Sequence, residues 1–151
     1  MRELLQYMQH FRRMYQKSFQ KLGRELELSQ MEIDLLLFLR NNPDRNTARD
    51  AAALRGFAKS NVSTGVERLE AKGWLRVEPD PESRRIKRLV LEKSREAELE
   101  RLARCQEDCF AAIVEDMTTE EREGLRTLLE RMDANVQRAL SRMEQGGEDD
   151  V

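Results

Sequence analysis

Apolar residues recur at Leu4, Met8, Phe11, Tyr15, Phe19 and Leu22, in steps of three and four, which predicts an amphipathic helix over about 3–26. Ser29-Gln-Met-Glu32 has the spacing of a capping box and launches Ile33-Asp-Leu-Leu-Leu-Phe-Leu39. That short helix is apolar nearly all round, so it belongs in the core, and Asn41-Asn-Pro-Asp44 ends it. Thr47-Ala-Arg-Asp50 is a second cap, opening Ala51–Leu54, with Gly56 as a left-handed stop. Residues 57–74 then read as a helix that buries Val62, Val66 and Leu69 and closes at Gly73. Trp74–Glu78 reads as a strand, Pro79–Ser83 as a turn and Arg85–Leu91 as the returning strand, with Leu89 and Leu91 on one face.

Two more helices follow. Residues 94–117 place Leu99, Leu102, Ala103, Gln106, Phe110, Ile113 and Met117 on one stripe. Thr118-Thr-Glu-Glu121 caps the last helix, whose stripe is Leu125, Leu128, Leu129, Met132, Val136, Leu140 and Met143. Residues 146–151 form an acidic tail with the composition of a disordered segment. The pattern is mainly α: about six helices and one β-hairpin, in a single domain over 1–145.

Composition agrees with that class. Charged residues make up 37% of the 151 and aromatics 5%, as expected of helices with long solvated faces. No run of about 18 apolar residues is present to span a membrane, and Met1–Phe11 lacks the apolar stretch of a signal peptide. Two cysteines make no disulfide framework, so the chain is expected to be cytoplasmic. The net charge of −2 hides an asymmetry. Between Thr47 and Lys93 there are 11 Lys and Arg against 7 Asp and Glu, a local +4 that leaves −6 elsewhere. A basic segment in an acidic protein suits an anionic partner.

The helix after Gly56 sharpens this. With Val62, Val66 and Leu69 turned inward, Ser60, Thr64 and Glu67 lie on the opposite side, and Asn61, Ser63 and Arg68 on the flanks. Short polar side chains on the first turns let a helix approach base edges in a major groove, with Lys59 and Arg68 placed for phosphates. The bland alternative is a cluster of poor helix formers near an N-cap. The tight turn at Gly56 and the basic hairpin bearing Arg84, Arg85, Lys87 and Arg88 favour a winged helix-turn-helix over about 29–92.

At this point the chain resembles the MarR family (multiple antibiotic resistance regulator type) of bacterial transcription factors. The resemblance runs through Ser29-Gln-Met-Glu32-Ile, Thr47-Ala-Arg-Asp50, Lys59-Ser-Asn-Val-Ser63, Arg68-Leu-Glu-Ala-Lys-Gly-Trp74, Asp80-Pro-Glu-Ser-Arg-Arg85 and Leu89-Val-Leu91. It implies an obligate homodimer, joined by the helices at about 3–26 and 94–143, in which each winged helix reads half of a pseudo-palindromic duplex. It also implies that Arg85 enters the minor groove. Three positions depart from the family pattern. Ser83 stands where an acid usually orients that arginine, leaving Asp80 or Glu82 to supply the support; Ala58 replaces a Ser cap; and Gly65 interrupts the helix.

The resemblance further implies a small-molecule pocket between the first helix and the winged helix, for which His10 and Tyr15 are the candidate effector contacts, with Tyr7 on the same helix. A lone histidine on such a helix is otherwise a packing or boundary residue. Some relatives sense oxidants, which makes Cys105 and Cys109 candidate redox residues; buried structural thiols are the alternative. Their helical spacing is too wide for a bridge between them. One His and two Cys make no metal site by themselves, and no cofactor is expected. No Gly-rich phosphate loop, HExxH or Ser-His-Asp grouping is present, so catalysis is not expected. The expectation is a homodimeric DNA-binding regulator, a repressor modulated by a small molecule. The alternatives are a thiol-based regulator and a helical protein-interaction module that does not bind DNA.

Overall fold

The computed structural model describes residues 2–146. Its elements are α1 (Arg2–Glu25), α2 (Gln30–Asn41), α3 (Ala48–Arg55), α4 (Lys59–Ala71), β1 (Leu75–Pro79), β2 (Lys87–Leu91), α5 (Glu96–Ile113) and α6 (Thr119–Gly146), with a 3₁₀ turn at Lys93–Arg95 ahead of α5. The strands form a two-stranded antiparallel sheet in which Leu75 faces Leu91 and Glu78 faces Arg88. The chain divides into two compact units, Met1–Phe110 and Ala111–Val151.

Local chemistry accounts for most of the boundaries. The Ser29 side chain accepts from the Glu32 amide, and the Glu32 carboxylate returns to the Ser29 amide at 2.7 Å, so α2 begins with both halves of its capping box. Thr47 caps α3 by accepting from the Asp50 amide, and Gly56, at φ 65°, ends it in the left-handed region. Gly73, at φ 70°, ends α4, and the Trp74 amide reaches back to the Leu69 carbonyl at 2.9 Å. Glu27 makes the same kind of stop after α1, at φ 56°, with the Leu28 amide bonded to the Gly23 carbonyl. No glycine marks that turn in the sequence.

The core of the first unit is α2, whose Ile33, Leu35, Leu36, Leu37 and Leu39 are buried together with Phe19 of α1, Val62 and Leu69 of α4, and Leu99 and Leu102 of α5. Trp74 and Leu75 seal the base of the hairpin. Burying that indole contributes several kcal/mol, since Trp→Ala in a core costs about 3–5 kcal/mol. Gly65 sits where α4 packs on α2. A Cβ there would lie 3.6 Å from a methyl of Leu35 and 3.7 Å from that of Met31, ordinary contacts, so the packing does not require glycine.

Several boundaries differ from the sequence expectation: β1 runs Leu75–Pro79 rather than Trp74–Glu78, and α4 Lys59–Ala71 rather than 57–74. The returning strand starts at Lys87 rather than Arg85, because Ser83–Ile86 folds into a turn closed by the Ile86 amide on the Ser83 carbonyl at 2.9 Å. Helix α5 ends at Ile113 rather than 117: the chain tightens through bonds from Val114 to Ala111 and Met117 to Val114, and Thr118 then caps α6 with Glu121. Gly146 belongs to α6; the rest of the expected acidic tail lies outside the described residues. No described helix is long and apolar enough to cross a membrane.

Candidate nucleic-acid interface

Helix α4 presents the face expected of it. Val62, Gly65, Val66 and Leu69 are buried, while Lys59, Ser60, Asn61, Ser63, Thr64 and Arg68 are exposed. Ala58 offers no side-chain cap, and the Asn61 and Val62 amides bond the Ala58 carbonyl instead. The Ser63 hydroxyl donates to the Lys59 carbonyl at 3.1 Å, leaving its lone pairs outward. The side chains of Lys59, Ser60, Asn61, Thr64 and Arg68 have no hydrogen bond or ion pair among the described residues. Polar groups left to water on an otherwise well-packed helix are available to an outside partner.

The hairpin carries the second group. Arg84 and Arg85 occupy the two central positions of the Ser83–Ile86 turn, exposed and without a partner among the described residues. Lys87 is exposed at the start of β2. Arg88 differs from these three. Its Nε donates to Asp80 Oδ2 at 2.6 Å and its Nη1 to Asn46 Oδ1 at 3.1 Å, so the guanidinium is turned into the wing. Asp80 is 8% exposed, and the Arg88 guanidinium, followed by the Glu82 and Ser83 amides, holds its carboxyl below the usual aspartate range. Asp80 therefore supports the wing through Arg88, and Arg85 has no ion pair among the described residues. The role of Asn46 was not legible from its position, since it lies 42 residues before Arg88.

The candidate effector residues separate. Tyr15 is half-buried on α1, and its hydroxyl accepts from Gln106 Nε2 at 3.0 Å. Burial pushes its pKa up, against the Gln106 bond. Asp34 of α2 and Arg55 of α3 lie nearby, 3.8 Å apart, and Gln30 donates to Asp34 at 2.9 Å. Burial raises the Asp34 carboxyl above its ordinary range. Phe11, Phe19 and Phe110 have ring centroids 4.9–6.3 Å from Tyr15. His10 is exposed, and five residues of helix turn it about 140° from Tyr15, so the two do not converge. The signal for this cluster was Asp34 itself, a lone carboxylate within an apolar run.

The cysteines share a face of α5. Cys109 is buried, and Cys105 donates to the Ser18 carbonyl of α1 at 3.3 Å. Burial raises the Cys105 pKa, with smaller contributions from Cys109 and Asp108. A raised pKa suppresses the thiolate, the reactive form.

Residues 26–86 match the model of the MarR family. Among solved structures, a MarR transcriptional regulator from Methanosarcina mazei Go1 superposes with TM-score 0.78 at 14% identity, covering 91% of this chain and 99% of that one. A MarR family regulator from Silicibacter pomeroyi gives 0.74 at 22%, covering 86% and 87%. BpsR of Bordetella bronchiseptica, whose DNA binding is regulated by 6-hydroxynicotinic acid, gives 0.68 at 21%, covering 87% and 98%. At these identities the likeness is one of fold. No curated protein matches the chain. The matched segment holds α2 to the wing tip, with the polar face of α4 and the paired arginines inside it, and the chain has the winged-helix fold of the MarR transcriptional regulators it superposes on.

Proposed function

We propose that the protein is a homodimeric, sequence-specific regulator of transcription, a cytoplasmic repressor that binds a pseudo-palindromic duplex. One observation carries the reading: α4 bears Lys59, Ser60, Asn61, Thr64 and Arg68, and the wing tip Arg84 and Arg85, with no side-chain partner among the described residues. Short polar side chains suit base edges, and exposed guanidinium groups suit phosphates or a narrow minor groove.

Dimerisation is supported by apolar surface that each unit leaves exposed. Leu4, Met8 and Phe11 line one side of α1, and Leu128, Leu129, Met132, Val136, Leu140 and Met143 line one side of α6. Exposed stripes of that length ordinarily meet a partner, and a second copy closes them symmetrically. A small-molecule effector is supported by the half-buried Tyr15, Asp34 and Gln106, which with the exposed Arg55 join four helices around a polar centre.

A gel shift with the intergenic DNA beside its own gene, against excess unrelated duplex, tests the reading. A discrete complex that survives the competitor is expected. A protein that binds no duplex, specific or random, would instead be a helical interaction module whose basic hairpin meets an acidic protein.

A further inference from the structure

The wing is tied down at a point remote from its tip. Asp80 is buried while Pro79, Pro81 and Glu82 beside it are exposed. Its Oδ1 accepts from the amides of Glu82 at 2.9 Å and Ser83 at 3.0 Å, and its own amide donates to the Ile86 carbonyl at 2.9 Å. One residue therefore closes the loop from both ends. Its Oδ2 holds Arg88, although Arg88 faces Glu78 across the strands. Arg88 passes the connection on to Asn46 Oδ1, and the Asn46 carbonyl accepts the Leu89 amide at 2.7 Å. Asn46 stands in the connection between α2 and α3, directly before the Thr47 cap. A continuous chain of charge-assisted and backbone bonds thus joins the tip loop to the start of the helix-turn-helix.

We propose that Asp80, through Arg88 and Asn46, is the positioning residue of the wing: it fixes where Arg84 and Arg85 stand, while neither Asp80 nor Arg88 touches DNA. This rests on the DNA-binding reading above. Without the clamp the seven residues 80–86 would be free to swing, and the tip arginines would have to be ordered at the moment of binding.

Asp80→Asn separates positioning from charge by the sign of its effect. The carboxamide oxygen still accepts the Glu82 and Ser83 amides, but its NH₂ opposes the Arg88 Nε, so only the link to Arg88 is lost. If Asp80 acted through net charge alone, removing an anion from each protomer beside DNA would tighten binding. Positioning predicts the opposite: roughly ten-fold weaker binding to the labelled intergenic duplex and a shallower salt dependence, with dimer mass and far-UV spectrum unchanged. In an Arg84→Ala/Arg85→Ala background the same substitution should change affinity less than about two-fold, because the tip it positions no longer carries its charges. Arg88→Lys, which keeps the charge but cannot bridge Asp80 and Asn46 in the same way, should weaken binding in the same direction and serves if Asp80→Asn fails to fold. Unchanged or tighter binding by Asp80→Asn, or a full additional loss in the arginine-free background, overturns the proposal and leaves the DNA-binding reading standing. An arginine pair whose removal has no effect overturns the proposal and leaves DNA binding to α4, whereas wild-type protein that binds no duplex overturns that reading and the proposal with it.

Discussion

The ammonium of Lys72 lies 2.9 Å from Glu32 Oε1 and 3.1 Å from Oε2, joining the end of α4 to the capping box that starts α2. The same nitrogen donates to the Glu27 carbonyl at 2.8 Å, where the chain turns through a left-handed residue after α1. Glu32 is 2% exposed, and its second partner is the Ser29 amide. One lysine therefore holds together the exit of α1, the entry of α2 and the exit of α4.

Removing that lysine leaves a buried carboxylate short of a cation. Lys72 is itself about a third exposed, so the full cost of a broken buried pair does not apply, and Lys72→Met should destabilise by about 1–2 kcal/mol at neutral pH. Burial, the largest influence on Glu32, raises its pKa, but the Ser29 amide and Lys72 more than offset this, and it lies below the ordinary value of 4.5. An acid with a depressed folded pKa contributes stability above its unfolded pKa and loses it as pH falls through the folded one. The Lys72→Met penalty should accordingly be present at neutral pH and shrink below 4.5. Urea midpoints across that range check it; a penalty that does not change with pH would show that the ion pair is not its source.

Gly65→Ala should stabilise by up to about 1 kcal/mol, because the added methyl finds only ordinary contacts with Leu35 and Met31 and the helix loses a weak former. Gly23→Ala should do the reverse, since its Cβ would meet Ile33 Cδ1 and the Leu28 carbonyl at 3.1 Å. Thermal midpoints of the two variants should move in opposite directions. A lowered midpoint for Gly65→Ala would mean that the α2–α4 contact is tighter than the distances indicate.

What was legible in the sequence was local. Ser29 with Glu32, Thr47 with Asp50 and Thr118 with Glu121 are three-residue spacings with a single geometric meaning, and the left-handed stops at Gly56 and Gly73 follow from residue type. The buried strip of α4 followed from periodicity. What was hidden depends on residues far apart in the chain. Arg88 carries the same charge as Arg84 and Arg85, and only the fold turns it onto Asp80 and Asn46. Lys72 meets Glu32 across 40 residues. Cys105 meets the Ser18 carbonyl across 87 residues.

Sedimentation at micromolar concentration should report about twice 17.7 kDa. Val136→Glu or Leu140→Glu, in the exposed stripe of α6, should shift the protein toward the monomer mass by burying a charge in the proposed interface. A stable wild-type monomer, or a dimer indifferent to both substitutions, would remove α6 from the interface.

On α4, Thr64 has a hydroxyl free of any partner among the described residues, whereas that of Ser63 already donates to Lys59. Thr64→Ala should cost about 1–3 kcal/mol on the specific duplex and little on random DNA if it makes a good base contact. Competition binding against both duplexes checks this. Equal losses on the two would mean that this face does not read sequence.

The most direct test of DNA binding is the salt dependence of affinity for Arg85→Ala beside wild type, followed by fluorescence anisotropy on one labelled duplex. Each phosphate contact contributes about 0.9 to the slope of log affinity against log salt, and a symmetric dimer loses two per substitution. The slope should become shallower by about 1.8, with binding to specific and random DNA both weakened and the dimer intact. If affinity and slope are unchanged in Arg85→Ala and in the Arg84→Ala/Arg85→Ala pair, the hairpin is not a DNA-binding wing.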